Sequence, residues 1–289
     1  NVGTLTNQGI ELEVGYKLSV DKVNLSFLAN ASYVKNEIKN LGNQTGYIDK
    51  ESLPTLGTVS RNQNGYPIGY FFGYKAIGVF QTQEEIDNYI SPATGKPIQP
   101  NAVPGDTKFE DLNGDGVISD DNEDRTMIGK PNPDWIVGLT VAADWNGFDL
   151  SAFFQGSFGA DVFDALRRYE LAAVNYTSDA LERWTGPGTS NSMPRIVLGD
   201  TPKNFRPSTL LVHDASFLRL RNLQVGYTLP AQLTRKAYIQ RLRFYASFDN
   251  LLTITGYKGM DPEIGSTMGI DKGVYPQARV YTFGLNLTF

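Results

Sequence analysis

The 289-residue sequence contains no cysteine and a single histidine, His213. The first absence excludes a disulfide framework and any thiolate metal site. The second excludes a multi-histidine site and any Ser-His pair that does not use His213. No run of about 18 apolar residues occurs, so no transmembrane helix is encoded. Basic residues number 26 against 31 acidic ones, a net charge of −5. That balance excludes a nucleic-acid partner, which requires a basic footprint. The opening residues Asn1-Val2-Gly3-Thr4 carry no leader pattern and run straight into a strand, as expected of a piece of a longer chain.

The sequence is rich in alternation. From Val280 to Phe289, Tyr281, Phe283, Leu285, Leu287 and Phe289 fall on one face of a period-2 pattern, and Val280, Thr282, Gly284, Asn286 and Thr288 on the other. One face is large, apolar and aromatic at both ends; the other is mostly small or polar. Transmembrane β-barrel strands have this form, apolar toward lipid, polar toward the lumen and girdled by aromatic residues. A terminal aromatic after alternating apolar residues also resembles the signal that directs outer-membrane proteins to barrel assembly. The last strand of a soluble sandwich is the competing reading.

Further strands follow the same rule. Ile10, Leu12, Val14, Tyr16 and Leu18 alternate with Glu11, Glu13, Gly15, Lys17 and Ser19. Asp21-Lys22 turns the chain into a second strand running to about Tyr33. Trp135 to Trp145, the two-residue turn Asn146-Gly147 and Phe148 to Gly156 form a hairpin, since Asn-Gly tolerates positive φ at both positions. Strands return near Phe217–Thr228 and Leu242–Phe248. Val162 to Val174 reads as a short helix, and Pro230 to Lys236 as a helical turn. The apolar stretch from Ile68 to Phe80 reads as a β-excursion outside the membrane.

The connections alternate strictly between short (at Asp21, at Asn146-Gly147, near Pro230) and long, at about 35–133, 159–213 and 253–277. Outer-membrane barrels have short periplasmic turns and long extracellular loops, so the long regions are expected outside the cell. A strand of about eleven residues rises roughly 36 Å and, tilted by about 45°, covers the ~25 Å apolar band. The fold expected is therefore all-β, about seven strands of a large antiparallel transmembrane barrel, with long extracellular loops and one or two short helices. Seven strands leave two open edges, and each unpaired backbone group in lipid costs several kcal/mol. Either the chain belongs to a larger barrel or it is not in lipid.

Several stretches carry a more specific resemblance: Gly69-Tyr70-Phe71-Phe72-Gly73-Tyr74-Lys75, Gly105-Asp106-Thr107-Lys108-Phe109 through Gly116, Arg125-Thr126-Met127-Ile128-Gly129-Lys130-Pro131-Asn132-Pro133, Ser216 to Leu223, Asp249-Asn250-Leu251-Leu252-Thr253 and Gly259-Met260-Asp261-Pro262-Glu263. In this order and spacing, over nearly the whole chain, they resemble the C-terminal part of SusC/RagA-type TonB-linked outer-membrane transporters. The resemblance implies a barrel of about 22 strands with an N-terminal plug. It implies import of oligosaccharides or peptides beneath a SusD-like surface lipoprotein, energised by the TonB complex through the plug. The plug, the TonB-contacting segment and the leader peptide match nothing in this sequence, so TonB contact is carried onto no residue here. The alternative is a soluble secreted β-rich binding module. Neither reading is enzymatic. The carboxylate pairs Asp120/Asp121 and Asp161/Asp164 lie in turns or a helix start with no sign of a shared cleft.

Asp111 to Asn122 fits the start of an EF-hand-like loop. Asp111, Asn113 and Asp115 supply hard oxygens at positions 1, 3 and 5, Gly116 permits the sharp turn, Val117 offers its carbonyl and Ser119 stands at position 9. Asn122 replaces the usual bidentate Glu at position 12, and Asp121 and Asp124 are the carboxylates expected to close the site around Ca²⁺. A solvated Asx/Gly turn is the alternative. Tyr70, Phe72 and Tyr74 are candidates for stacking on a sugar or peptide ligand, or for packing within the loops. Arg219 and Arg221 are expected to face the lumen or to pair with Glu11 and Glu13.

Overall fold

The computed structural model describes residues 3–121, 123–171, 174–264 and 268–289. Seven long strands form one antiparallel sheet in chain order: β1 (Thr4–Val20), β2 (Val23–Asn40), β3 (Trp135–Trp145), β4 (Phe148–Phe158), β5 (Phe217–Thr228), β6 (Arg241–Thr255) and β7 (Val280–Thr288). Among the described residues each pairs only with its neighbours in this order, so β1 and β7 are open edges.

The register places the alternating residues of all seven strands on common faces. Val141 stands opposite Phe27 on one side and Ala152 on the other; Ala152 pairs with Leu223, and Val225 with Ala246. Ala246 in turn pairs with Phe283. This face is apolar from edge to edge. It is also exposed: Ile10 at 75 %, Phe283 at 76 % and Leu139 at 38 % face no protein core. Trp145 and Phe148 stack at the short-turn end of the β3–β4 hairpin, with Tyr227 beside Phe148. At the other end Trp135 packs on Tyr33. Two aromatic belts therefore bound the apolar band.

The opposite face is polar and bonded. Asp149 accepts from Arg243 at 2.9 Å (Nε) and 2.5 Å (Nη2), and Gln224 accepts from the same guanidinium at 3.1 Å. Asn222 donates to Asp249 at 2.7 Å and to Ser247 at 3.0 Å. These bonds tie β4, β5 and β6 across the lumen side.

The short turns are as the residues require. Asp21 has φ of 52°, and Asn146 and Gly147 have 47° and 87°. Helix α1 (Ala231–Thr234) and a 3₁₀ turn at Arg235–Ala237 connect β5 to β6. The long connections are slightly displaced from expectation. β2 continues to Asn40 and β6 to Thr255, so the connections span 41–134, 159–216 and 256–279. Both strands overshoot because their ends pair with structured neighbours: Ile38 donates to Tyr66 O at 2.9 Å, and Thr255 sits opposite Phe217.

The three long connections fold together as a cap. Leu53, Val59 and Phe71 come from the first, Phe163, Ala165 and Leu211 from the second, and Ile270 from the third, and all are buried in one cluster. Phe71 meets Phe163 at 5.9 Å between ring centroids. The expected helix at Val162 to Val174 is not formed among its described residues; 172 and 173 lie outside them. Asp161–Asp164 is a strand, paired antiparallel with Val212–Asp214 and parallel with Ile270–Asp271. Partners on both sides bury Val162 and Phe163 completely, and pairing between loops overrides the mixed local pattern. Ile68 to Phe80 contains the strands Tyr70–Tyr74 and Ala76–Val79, both within the cap. The cap sheet has the order Arg125–Gly129, Tyr70–Tyr74, Ser60–Gln63, Tyr47–Asp49.

Gly284 of β7 faces Tyr245 of β6, and a Cβ there would come within 2.6 Å of the ring. The tyrosine covers the glycine across the strand pair. Gly284→Val overpacks this contact at a cost of about 1–3 kcal/mol. The heat-induced unfolding temperature, read by gel mobility, is expected to fall; an unchanged temperature would show that the contact is dispensable.

Candidate functional site

Function in this architecture has two places to reside: the polar face of the sheet, and the cap that closes its long-loop end. They are joined by a clamp of four charges. Arg219 and Arg221 project from β5 on either side of a bulge, where Leu220 and Asn222 pair with Phe154 and Phe153 and leave Arg221 extra. Residues two apart share a strand face, so both guanidinium groups point the same way, and the bulge brings Asn222 to that face beside them. Arg219 is 2 % exposed and donates to Asp261 at 2.5 Å and Glu263 at 3.0 Å. Arg221 donates to both oxygens of Glu263, at 2.6 and 2.5 Å, and to Gln155 at 2.7 Å. The expected pairing of these arginines with Glu11 and Glu13 is not made, because β1 lies four strands away across the sheet. Asn250, in left-handed conformation with φ of 52°, accepts from Arg221 at 3.2 Å and donates to Ala278 O at 2.9 Å. The stretches around Phe217, Asp249 and Asp261 are thus one device that docks the 256–279 connection into the lumen side.

Burial pushes the Asp261 carboxyl up. The backbone N–H groups of Gln277 and Glu263, with Arg219, outweigh it and hold the group below the ordinary carboxylate range. The depressed value stabilises docking above about pH 4, and that stabilisation is lost as pH falls through the folded pKa. Arg219→Met strands a buried carboxylate and should cost about 3–5 kcal/mol. Proteolysis of residues 256–279 is expected to accelerate in the variant at neutral pH and in the wild type only in acid. Equal cleavage rates for the two at pH 7 would remove the clamp from the account.

The three aromatic candidates are interior. Tyr70, Phe72 and Tyr74 are 1 %, 2 % and 4 % exposed. Tyr70 stacks on Tyr66 at 4.9 Å and donates to Gln63 at 2.6 Å. Phe72 lies between the guanidinium groups of Arg61, 3.6 Å from its centroid, and Arg125, at 4.3 Å. Both have their ring surfaces taken by protein, which leaves no face for a ligand in this arrangement. Tyr74 differs. Its hydroxyl donates to Ser119 O at 2.8 Å, and its ring borders a cavity of about 460 Å³.

The acidic loop is held by its own backbone. Asp111 accepts from the N–H groups of Gly114 and Gly116, each at 2.8 Å, and Gly116 has φ of 90°. Asp115 N donates to Asn113 at 3.0 Å, and Val117 N to Asp115 at 2.8 Å. Asp124, fully buried, accepts from Leu112 N at 3.1 Å and Ser119 N at 2.9 Å, and so closes the loop on itself. Asp121 accepts from Glu123 N and from the Ser119 hydroxyl, which lowers its pKa. Asn122 lies outside the described residues. The donor set is all oxygen, as a hard cation requires. Among the described residues, however, no three acidic side chains are grouped as metal ligands.

Two features of the cap have roles that local sequence does not show. Asp106 is buried and bonded to Arg195 at 2.6 Å and Asn204 at 3.1 Å, which explains the Gly105-Asp106-Thr107 stretch as a stitch to the second connection. The cavity beside Tyr74 gathers Arg125, Glu170 and the Asp200–Arg206 segment from three places 30 to 81 residues apart along the chain. Burial pushes the Asp200 carboxyl up to about 6, against the lowering effect of the Phe205 and Asn204 N–H groups.

An open arc of long antiparallel strands, apolar outside, polar inside and capped at one end, is a section of a large transmembrane β-barrel wall. No family model matches the chain. It is 32 % identical over 305 aligned positions to TonB-dependent receptor P3 of Formosa agariphila, covering all of this chain and 29 % of that protein. It is 30 % identical to TonB-dependent receptor SusC of Bacteroides thetaiotaomicron, covering 27 % of it. The solved RagAB peptide transporter superposes on the whole chain with a TM-score of 0.76 and 27 % identity, over 30 % of its own chain. The chain is therefore of the SusC/RagA type of TonB-dependent receptor, and spans somewhat under a third of the length of the relatives it matches.

Proposed function

We propose that this chain forms part of the barrel wall and extracellular cap of an outer-membrane nutrient importer that takes up oligosaccharides or peptides. The observation that carries the reading is the two-faced sheet. Seven strands in one register present an exposed apolar band with aromatic borders on one side, and a bonded polar surface on the other. The short turns then face the periplasm and the capped end faces outward, where a SusD-like lipoprotein would sit. Energy would enter from the TonB complex through a plug that no residue here supplies. A soluble module would have to bury the apolar face in a core, and among the described residues nothing covers it.

Leu139 and Thr140 are adjacent on β3 and face opposite sides. An arginine on the lipid side near the bilayer centre costs about 2–4 kcal/mol, whereas the lumen side accepts charge. Leu139→Arg is therefore expected to deplete the receptor from the outer membrane and remove growth on its nutrient. Thr140→Arg is expected to leave assembly intact. Equal assembly of the two variants would argue against a lipid-facing band.

In the same cap, the 111–124 loop is assigned a structural Ca²⁺ held by Asp111, Asn113, Asp115 and the Val117 carbonyl, with Asp121 and Asp124 closing it. The support is the order of oxygen donors and the position-6 glycine. The ion would order residues 105–130, and through the Tyr74–Ser119 bond it would brace the cap sheet. Chelator is expected to open this region to protease and Ca²⁺ to protect it; identical cleavage with both would dismiss the metal.

A further inference from the structure

The cavity beside Tyr74 is lined by charged side chains whose hydrogen-bonding capacity the fold fills only in part. Arg125 Nε, Arg206 Nη1 and Glu170 Oε2 are buried, and each lacks a hydrogen-bond partner among the described residues. Leaving such groups unpaired is expensive, more so for charged ones. The Glu170 side chain is 7 % exposed; its other oxygen accepts from Thr55 at 3.1 Å and is ion-paired with Arg168, while Oε2 stays unbonded toward the cavity. Arg206 is anchored through Nε to Lys203 O at 3.1 Å, with its guanidinium stacked 4.8 Å from the centroids of both Tyr74 and Phe109. Arg125 is fixed against Phe72 and donates to Phe72 O at 2.9 Å. These side chains are therefore rigidly presented, and preorganised donors bind more strongly per contact than mobile ones. At the rim, the Lys203 and Asp120 side chains are 54 % and 68 % exposed and pair with each other, with Asp120 also 3.9 Å from Arg206 Nη1, beyond hydrogen-bond reach; the cavity meets solvent there.

From these unpaired atoms we infer that the cavity is a binding site for a small ligand carrying a carboxylate with a hydrogen-bond donor close by. The two arginines take the carboxylate, and Glu170 takes the donor. Arginine suits this role because its planar fork matches carboxylate geometry. The cavity volume of about 460 Å³ admits one sugar ring or one amino acid, within the usual range for small-molecule sites. An acidic sugar and an α-amino acid share the required chemistry. The inference rests on the importer reading only in placing the site on the outer side of the cap. It concerns a fixed subsite there, separate from the polar face of the sheet.

The test is calorimetric titration of the intact receptor, purified from outer membranes in detergent, with glucuronate, galacturonate, alanine, glutamate and neutral glucose. Saturable binding of at least one carboxylate probe, with none for glucose, is expected. Binding of the uronates alone assigns an acidic sugar, and binding of the amino acids alone assigns an amino acid; either outcome supports the site. Arg206→Gln and Glu170→Gln should each weaken binding by about tenfold or more, as loss of one charged hydrogen bond predicts. Glu170→Gln is nearly isosteric and keeps an oxygen toward Thr55 and Arg168, though without the charge that pairs with Arg168, so retained barrel heat-stability is required of each variant. No saturable binding by any carboxylate, or binding unchanged by both variants, overturns the proposal. Nutrient-dependent growth of the same strains separates the two claims. Growth that persists without carboxylate binding discards the cavity and leaves the importer standing.

Discussion

In a hydrocarbon layer no water remains to satisfy a backbone N–H or C=O, and the architecture of this chain answers to that constraint. Each strand from β2 to β6 is paired on both sides, so its backbone bonds are made within the sheet. Only β1 and β7 have open edges, and each would leave a row of unpaired groups costing several kcal/mol apiece in lipid. The same constraint fixes the side chains. Once the backbone is paired, period-2 alternation sends one set outward and the other inward, and the register keeps those sets aligned across seven strands. Outward residues are apolar because lipid is their solvent. Inward ones bond to one another, as Asp149, Gln224 and Arg243 do.

Irregular backbone is excluded from such a wall and is collected at one end. The second connection has a cluster of its own at Tyr169, Ala180 and Phe205, but the largest cluster is shared among all three connections. Phe71, Phe163, Leu211 and Ile270 pack together there, so the cap is a small domain assembled from separated segments. Its third connection is fixed to the wall by charge. Arg219, Arg221, Asp261 and Glu263 form a paired network in which each carboxylate is bonded more than once. Breaking such a network leaves a buried charge, which makes the docking of the third connection close to all-or-none.

The wall was legible in the sequence, and the cap was not. Trp135, Asn146-Gly147 and Phe148 mark a hairpin whose ends agree with the structure, because alternation and turn chemistry are local properties. The strict alternation of short and long connections also holds. What local sequence leaves open is pairing between distant segments. Val162 to Val174 looked helical because its parallel partner, Ile270–Asp271, lies about a hundred residues away. Arg219 and Arg221 were correctly taken as ion-pair residues, but their partners depend on how the third connection folds back. The aromatic stretch at Tyr70 has its ring faces covered by Arg61, Arg125 and Tyr66, residues with no sequence sign of meeting it. The cavity residues Arg125, Glu170 and Arg206 share no spacing or motif at all.

The central claim is that the apolar face of the sheet is solvated by lipid and the opposite face by water. It is tested most directly by spin labels placed one at a time along β4, from Phe148 to Phe158, in the receptor reconstituted into bilayers. Labels at 148, 150, 152 and 154 should collide with oxygen, which partitions into lipid. Labels at 149, 151, 153 and 155 should collide with a water-soluble nickel complex or be immobile within the lumen, giving a period of two. If the positions at 148, 150, 152 and 154 were instead shielded from both reagents, the apolar face would lie in a protein core and the barrel account would be wrong.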